Sequence, residues 1–250
     1  GSVAVKADSF AVDVSGDVAP LFLPDYAEFF GTSVALKASG RQTPAGGVSL
    51  TNLDLSARSL SLQGAVDLAP DGLPTRFDVT GQIAAPDGSR VLLPTSDRIE
   101  IDRADLTLAF DATTDEGWRG AITLTGLDRD DFDADRLALT GSGRIARPAG
   151  LATFTAALDF AATGLRPADP ALAQALGADV SGRVLLSAQQ GTDALRLPRL
   201  SLRGDGYSLT GSASVAGLSD AFRLSGRAEA QVADLSRLSA LTGQDLGGAA

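Results

Sequence analysis

From Leu195 to Val215 the chain reads LRLPRLSLRGDGYSLTGSASV, and apolar and polar residues change places at almost every step. Leu200 and Leu202 alternate with Ser201 and Arg203, and the chain reverses at Gly204-Asp205-Gly206. Tyr207, Leu209, Ala213 and Val215 then alternate with Ser208, Thr210, Ser212 and Ser214. A period of two sends every apolar side chain to one face of a sheet and every polar one to the other. The stretch therefore predicts two strands joined by a tight turn.

The same phrase recurs along the chain. Val3 to Val14 holds alternating pieces. Alternation resumes at Val34 and Leu36, breaks at Pro44-Ala45-Gly46-Gly47, and changes phase at Asn52, where Leu53 and Leu55 take over. Such a shift marks a bulge or a change of strand. Leu60 to Leu68 leads into the turn APDGLP (Ala69 to Pro74), and Phe77, Val79 and Ile83 lead into its near-copy AAPDGS (Ala84 to Ser89). Ile99 to Phe110 reads as one long run, with Trp118, Ile122 and Leu124 as its partner across the Asp111 to Gly117 reversal. Leu137, Leu139 and Ile145, then Phe154, Leu158 and Phe160, then Val180 to Leu186, then Phe222 and Leu224 supply further strands, roughly a dozen in all.

Three places change period. In Asp169 to Gly177, DPALAQALG, Asp169 suits the N-cap, Pro170 the first helical position and Gly177 the stop. Asp234 to Gly243, DLSRLSALTG, repeats that layout, with Leu235, Leu238 and Leu241 on one face. Pro24 to Gly31 is a weaker version, with Tyr26, Phe29 and Phe30 at helical spacing. ALGADVSG (Ala175 to Gly182), ALTGQDLGG (Ala240 to Gly248) and FFGTSVAL (Phe29 to Leu36) read as copies of one unit. We therefore expect residues 1–250 to be a single extended segment, with repeat units ending near the helices 24–31, 169–177 and 234–243.

Composition narrows the chemistry. The 250 residues include no histidine and no cysteine. No thiolate or imidazole is present to ligate zinc, iron or copper, and neither a Cys nucleophile nor a Ser-His-Asp triad can be assembled. The expectation is a protein that is not an enzyme and needs no cofactor or metal. A net charge of −10, with 21 basic residues scattered along the sequence, argues against nucleic acid as a partner. With 44% apolar but only 5% aromatic residues, the core consists of thin Leu, Val and Ala layers. Lacking an initiator methionine, a basic leader and an apolar run long enough to span a bilayer, the sequence reads as an excised segment.

Tempting sites have plainer readings. Asp131, Asp133 and Asp135 imitate the start of a calcium loop, but Arg136 and Ser142 stand where its Gly and Glu belong, so the Asp128 to Asp135 cluster reads as a solvated turn. Asp111, Asp115 and Glu116 could be paired carboxylates of a glycosidase, yet they fall in a hairpin loop without an aromatic platform. The glycine-rich pieces Gly204 to Gly206 and Gly141 to Gly143 lack the lysine and helix start of a phosphate loop.

The phrases LRLPRLSLRGDGYSLTGSASV, LSARSLSLQGAVDL, DADRLALTGSGRI and ADLSRLSALTGQDLGG together resemble the TamB and AsmA-like proteins of Gram-negative envelopes. The resemblance covers most of the chain, best from about Ile99 onward. It implies an all-β, elongated, curled antiparallel sheet forming a taco-like groove, with a few short helices. It also implies a place in the periplasm, an inner-membrane anchor outside these residues, and transport of phospholipid between the two membranes in support of outer-membrane assembly. An Omp85-type barrel is the implied partner, through regions outside this segment.

A sheet with one apolar face must pack on a second layer, close, or bind something greasy. Too few helices are present to cover a dozen strands. Each acyl CH₂ kept from water is worth about 0.8 kcal/mol, so an apolar gutter can hold a lipid chain without any chemistry. The positions expected to line it are Leu106, Leu108, Phe110, Ile122, Leu124, Leu137, Leu139, Phe154, Leu158, Leu200, Leu202, Leu209, Val215, Phe222 and Leu224. The competing expectation is a structural or adhesive β-repeat with a filled core and no ligand.

Overall fold

The computed structural model describes residues 1–6, 8–17, 27–147, 150–217 and 223–248. At 64% strand and 9% helix the chain is all-β, as the alternation predicts. It divides into two compact units, Gly1–Leu127 and Asp128–Ala250.

The first unit is an antiparallel sheet laid down in chain order. It runs through β1 (Ser2–Lys6), β2 (Ser9–Gly16), β3 (Val34–Gln42), β4 (Val48–Ser56), β5 (Leu60–Leu68) and β6 (Pro74–Ala84). The short hairpin β7 (Val91–Leu92) and β8 (Ile99–Ile101) is inserted next. β9 (Arg103–Asp111) then pairs back on β6, and the part of β10 (Gly117–Arg129) in this unit pairs on β9. The turns work as their residues dictate: Gly46, Gly72 and Gly88 take positive φ (89°, 79° and 75°), and Asp71 and Asp87 accept from the backbone two residues on.

The phase shift at Asn52 is a bulge. Leu50 and Leu53 of β4 oppose Val66 and Gly64 of β5, so β4 carries one residue more than its neighbour. Ladders on both sides of the bulge keep β4's leucines on the apolar face.

One expected run is corrected. Ile99 to Phe110 is two strands, because Asp102 leaves the pattern and its backbone N–H donates to the Thr125 carbonyl at 2.9 Å. The apolar parity changes there, from odd numbers at Ile99 and Ile101 to even ones at Leu106, Leu108 and Phe110. Ile101 lies fully buried and Val91, its partner in the hairpin, nearly so. The helix α1 (Ala27–Phe30) ends at Gly31, with φ +67°, and returns the chain through Val34 opposite Gly16. Backbone N–H groups of Arg58 and Ser59 donate to Phe30 and Phe29, so α1 is tied to the β4–β5 turn. The expected residues Pro24, Asp25 and Tyr26 lie outside the described residues.

The second unit is built alike from β11 (Phe132–Ala146), β12 (Thr153–Thr163), β13 (Arg166–Pro167), β14 (Val180–Gln189), β15 (Ala194–Gly204), β16 (Tyr207–Ala216) and β17 (Arg223–Val232). Antiparallel ladders join β11 to β12, β12 to β14, and β14 through β17 in order. The two-residue turn Asp205-Gly206 closes the β15–β16 hairpin, with Gly206 at φ +71°. The helix α2 (Pro170–Leu176) has the cap its sequence predicts, the Asp169 carboxylate accepting from Ala171 and Leu172 N–H groups. Gly177, at φ +73°, turns the chain so that Val180 pairs with Ala162, as Val34 does with Gly16. The unit of helix, glycine and strand has the same layout at these two places.

Its third copy differs. Residues 234–243 form a 3-10 turn (Leu235–Leu238) and then one α-turn, α3 (Ser239–Thr242), rather than a single helix. Asp234 caps the first and Gly243, at φ +67°, ends the second. The described residues hold seventeen strands, several of eleven to fifteen residues, against the dozen short ones expected.

Candidate functional site: the apolar sheet faces

Cross-strand register decides which residues share a face. In the first unit, Val14, Leu36, Leu55, Leu62, Gly81, Leu106 and Ile122 form one row across seven strands. The row beside it is Val3, Val12, Ala38, Leu53, Gly64, Val79, Leu108 and Gly120. A third is Phe10, Gly40, Leu50, Val66, Phe77, Phe110 and Trp118. No polar side chain enters any of the three. Leu124 lies in the next row, opposite Ala104.

The second unit repeats this with its own rows. Leu139, Phe160, Gly182, Leu202, Leu209 and Ala230 form one. Gly141, Leu158, Val184, Leu200, Gly211 and Ala228 form another, and Ile145, Phe154, Ala188, Leu195, Val215 and Leu224 a third. Leu137 leads a row through Ala162, Val180, Gly204, Tyr207 and Val232. Within each unit the structure thus brings the expected lining positions onto one apolar face. Phe222 lies outside the described residues.

Glycines recur in these rows beside the bulkiest residues. A Cβ on Gly182 would fall 2.8 Å from Phe160 Cε1, and one on Gly40 would fall 2.9 Å from Phe10 Cζ. The Tyr207 ring covers Gly204 in the same way. Each glycine leaves a notch into which a neighbouring ring lies flat along the sheet, which lowers the relief of the face.

These faces are only partly shielded. Among the described residues of β5 none is buried, although Leu60, Leu62, Val66 and Leu68 all belong to the apolar face. Leu224 is 66% exposed on β17 and Val3 65% on β1. Phe110, at 3%, Val215, at 7%, and Val180, at 9%, are buried, Phe110 against Phe77 with ring centroids 5.3 Å apart. Within each unit the described helices are short, none longer than seven residues. The helices sit at sheet ends. α2 packs on the 3-10 turn and α3, held by the Arg237 guanidinium, which donates to the Gln174 carbonyl at 3.3 Å. Leu241 of the expected leucine face is 48% exposed.

The carboxylate clusters are turn and ion-pair groups. The Asp111 carboxylate accepts from the Thr113 N–H and hydroxyl at 2.8 and 2.6 Å, and these bonds hold it below the usual carboxylate range. Asp115 accepts from the Gly117 N–H, and Glu116 carries a positive φ of 57°. Asp131 pairs with Arg129 at 2.9 Å and Asp135 with Arg166 at 2.8 Å. Among the described residues no group of acidic side chains is placed to hold a metal ion. No described helix is long and apolar enough to cross a membrane.

The opposite face holds what the linear sequence hid. Strands β14 to β17 contain six arginines and one acidic residue, Glu229, in a chain of net charge −10. Scattered in sequence, Arg183, Arg196, Arg199, Arg203, Arg223 and Arg227 all alternate onto the polar face. Their signal was parity, the same parity that selects the leucines. Comparisons of the chain with protein-family models, curated proteins and solved structures find no match.

Proposed function

We propose that this chain is a segment of an apolar-lined β-groove that carries phospholipid acyl chains between the inner and outer membranes of a Gram-negative periplasm, and so supports outer-membrane assembly. The observation that carries this reading is the row structure of each unit, apolar from strand to strand, with face residues such as Leu224 and Val3 left exposed. Binding needs no reactive group: a lipid tail gains about 0.8 kcal/mol for each CH₂ removed from water. The resemblance to TamB and AsmA-like proteins points the same way, and an Omp85-type barrel would be met through regions beyond this segment.

A second reading is a structural β-repeat whose face is filled by its own side chains. The burial of Phe110 and Val215, at 3% and 7%, favours it locally. Native mass spectrometry with lipid extraction separates the two. The conduit predicts co-purifying phospholipid that is lost in Leu108→Asp and Leu202→Asp, and retained in the opposite-face controls Thr107→Asp and Ser142→Asp. A lipid-free protein that also refuses a fluorescent acyl probe sinks the conduit.

A further inference from the structure

The polar face of the second unit carries a built trough. β15 bulges at Pro198: Leu197 and Leu200 oppose Ala213 and Gly211, so two residues, Pro198 and Arg199, face the single Ser212 on β16, and Leu185 and Ser187 of β14 record the same extra residue. The bulge sets Arg199 beside Ser212, whose other cross-strand partner is Arg227. Two arginines thus flank a serine across three adjacent strands, their backbones roughly 10 Å apart at ordinary strand spacing. The space between them is a cavity of about 320 Å³ lined by Arg199, Ser201, Thr210, Ser212, Arg227 and Glu229. An adjoining cavity of about 480 Å³ shares Pro198, Ser212 and Arg227 and adds Arg196.

Charge is unbalanced here. No carboxylate of the described residues forms an ion pair with Arg196, Arg199 or Arg227; Arg183 nearby is paired to Asp159 at 3.5 Å. Unpaired guanidinium groups on one rigid sheet repel one another unless an anion joins them. Guanidinium forks and hydroxyl donors together match a phosphate's oxygens, which accept bidentate bonds. Lysine is absent from the trough, so the donors are planar and pre-oriented.

We infer that this trough binds a phosphate group, gripped between Arg199 and Arg227 over the Ser212 hydroxyl, with Glu229 closing one end. The site lies on the face opposite the leucine rows, so it stands or falls independently of the lipid-carrying reading.

The test is titration of the full chain with inorganic phosphate at low ionic strength, following the arginine Nε–H signals by NMR. Flotation with phosphatidylglycerol and with phosphatidylcholine vesicles runs in parallel. Phosphate should shift the Arg199 and Arg227 signals. Arg199→Gln and Arg227→Gln should each weaken binding about tenfold, and Glu229→Gln should tighten it. Binding of free phosphate assigns a soluble phosphate, and binding of phosphatidylglycerol vesicles alone, lost in the same variants, assigns a lipid headgroup. The proposal is overturned if neither binds, if the glutamine variants bind as the native chain does, or if only a single-stranded oligonucleotide binds.

Discussion

The Tyr207 hydroxyl donates to the Leu176 carbonyl at 3.2 Å, joining the first residue of β16 to the last residue of α2 across 31 positions of sequence. That carbonyl is among those a helix leaves unpaired at its C-terminal end. The same ring covers Gly204 and carries the Arg237 guanidinium 5.6 Å from its centroid. One tyrosine therefore fastens both short helices to the hairpin.

Tyr207→Phe removes only the donor and should cost about 1 kcal/mol, read as a lower urea midpoint at unchanged slope. Burial raises the Tyr207 pKa, with Arg237 opposing. The folded state therefore holds its proton more tightly than the unfolded chain. The associated stability is complete below the ordinary tyrosine value of about 10 and is lost as pH rises through the higher folded value. The gap between native and Tyr207→Phe proteins should narrow above about pH 10.

Asp111 offers an opposite sign. Its carboxyl is held low first by the Thr113 hydroxyl and then by the Thr113 N–H. Its contribution is present above the unfolded carboxylate value of about 4 and disappears as pH falls through the lower folded value. In Thr113→Val the carboxyl resonance of Asp111 should titrate closer to the ordinary range. An unchanged titration would remove the hydroxyl as the cause.

Two glycines of the apolar faces should respond differently to alanine. At Gly182 the new Cβ meets the Phe160 ring and the Ser201 carbonyl oxygen, neither of which can swing aside. At Gly120 the nearest atom is Leu108 Cδ1 at 2.8 Å, the far end of a flexible side chain, with the Thr107 carbonyl at 3.2 Å. Gly182→Ala should cost roughly 1–3 kcal/mol as overpacking. Gly120→Ala should stay within about 1 kcal/mol of the native chain, since alanine also reduces unfolded-state entropy. Chemical denaturation of the two variants ranks them; equal losses would deny that the ring sets the difference.

Strands, turns and caps were legible because each follows from local chemistry: alternation, Pro-Asp-Gly turns, and Asp169 ahead of Pro170. The face assignment was legible for the same reason, since parity needs no knowledge of partners. What escaped was non-local. Ile99 and Ile101 read as the start of β9, and only the parity change at Asp102 betrayed a separate hairpin. The 3-10 turn at Leu235–Leu238 escaped because its Asp cap and leucine spacing serve either helix type. The arginine trough escaped because Arg199 and Arg227 are distant in sequence, and their approach depends on the register of β16 between them.

The bulges give the sharpest test of how register is fixed. Thr51 and Pro198 are surplus residues: without them β4 would read VSLNLDLS, and β15 from Leu195 onward LRLRLSLRG, both in unbroken alternation. Deleting either should keep every apolar side chain on its face, and stability should remain within about 1 kcal/mol of native. Deleting Ser201 shortens β15 by the same length but leaves no such register. Retaining the bulge sends Leu202 to the polar face; losing it sends Arg199 to the apolar face and Leu200 off it. That variant should lose roughly 3 kcal/mol or more, as a charge or an unpaired apolar side chain is forced onto the wrong surface. Thermal and urea unfolding of the three deletions decides the matter. If the Ser201 deletion is as stable as the Pro198 deletion, the leucine rows do not set the register and some other contact does.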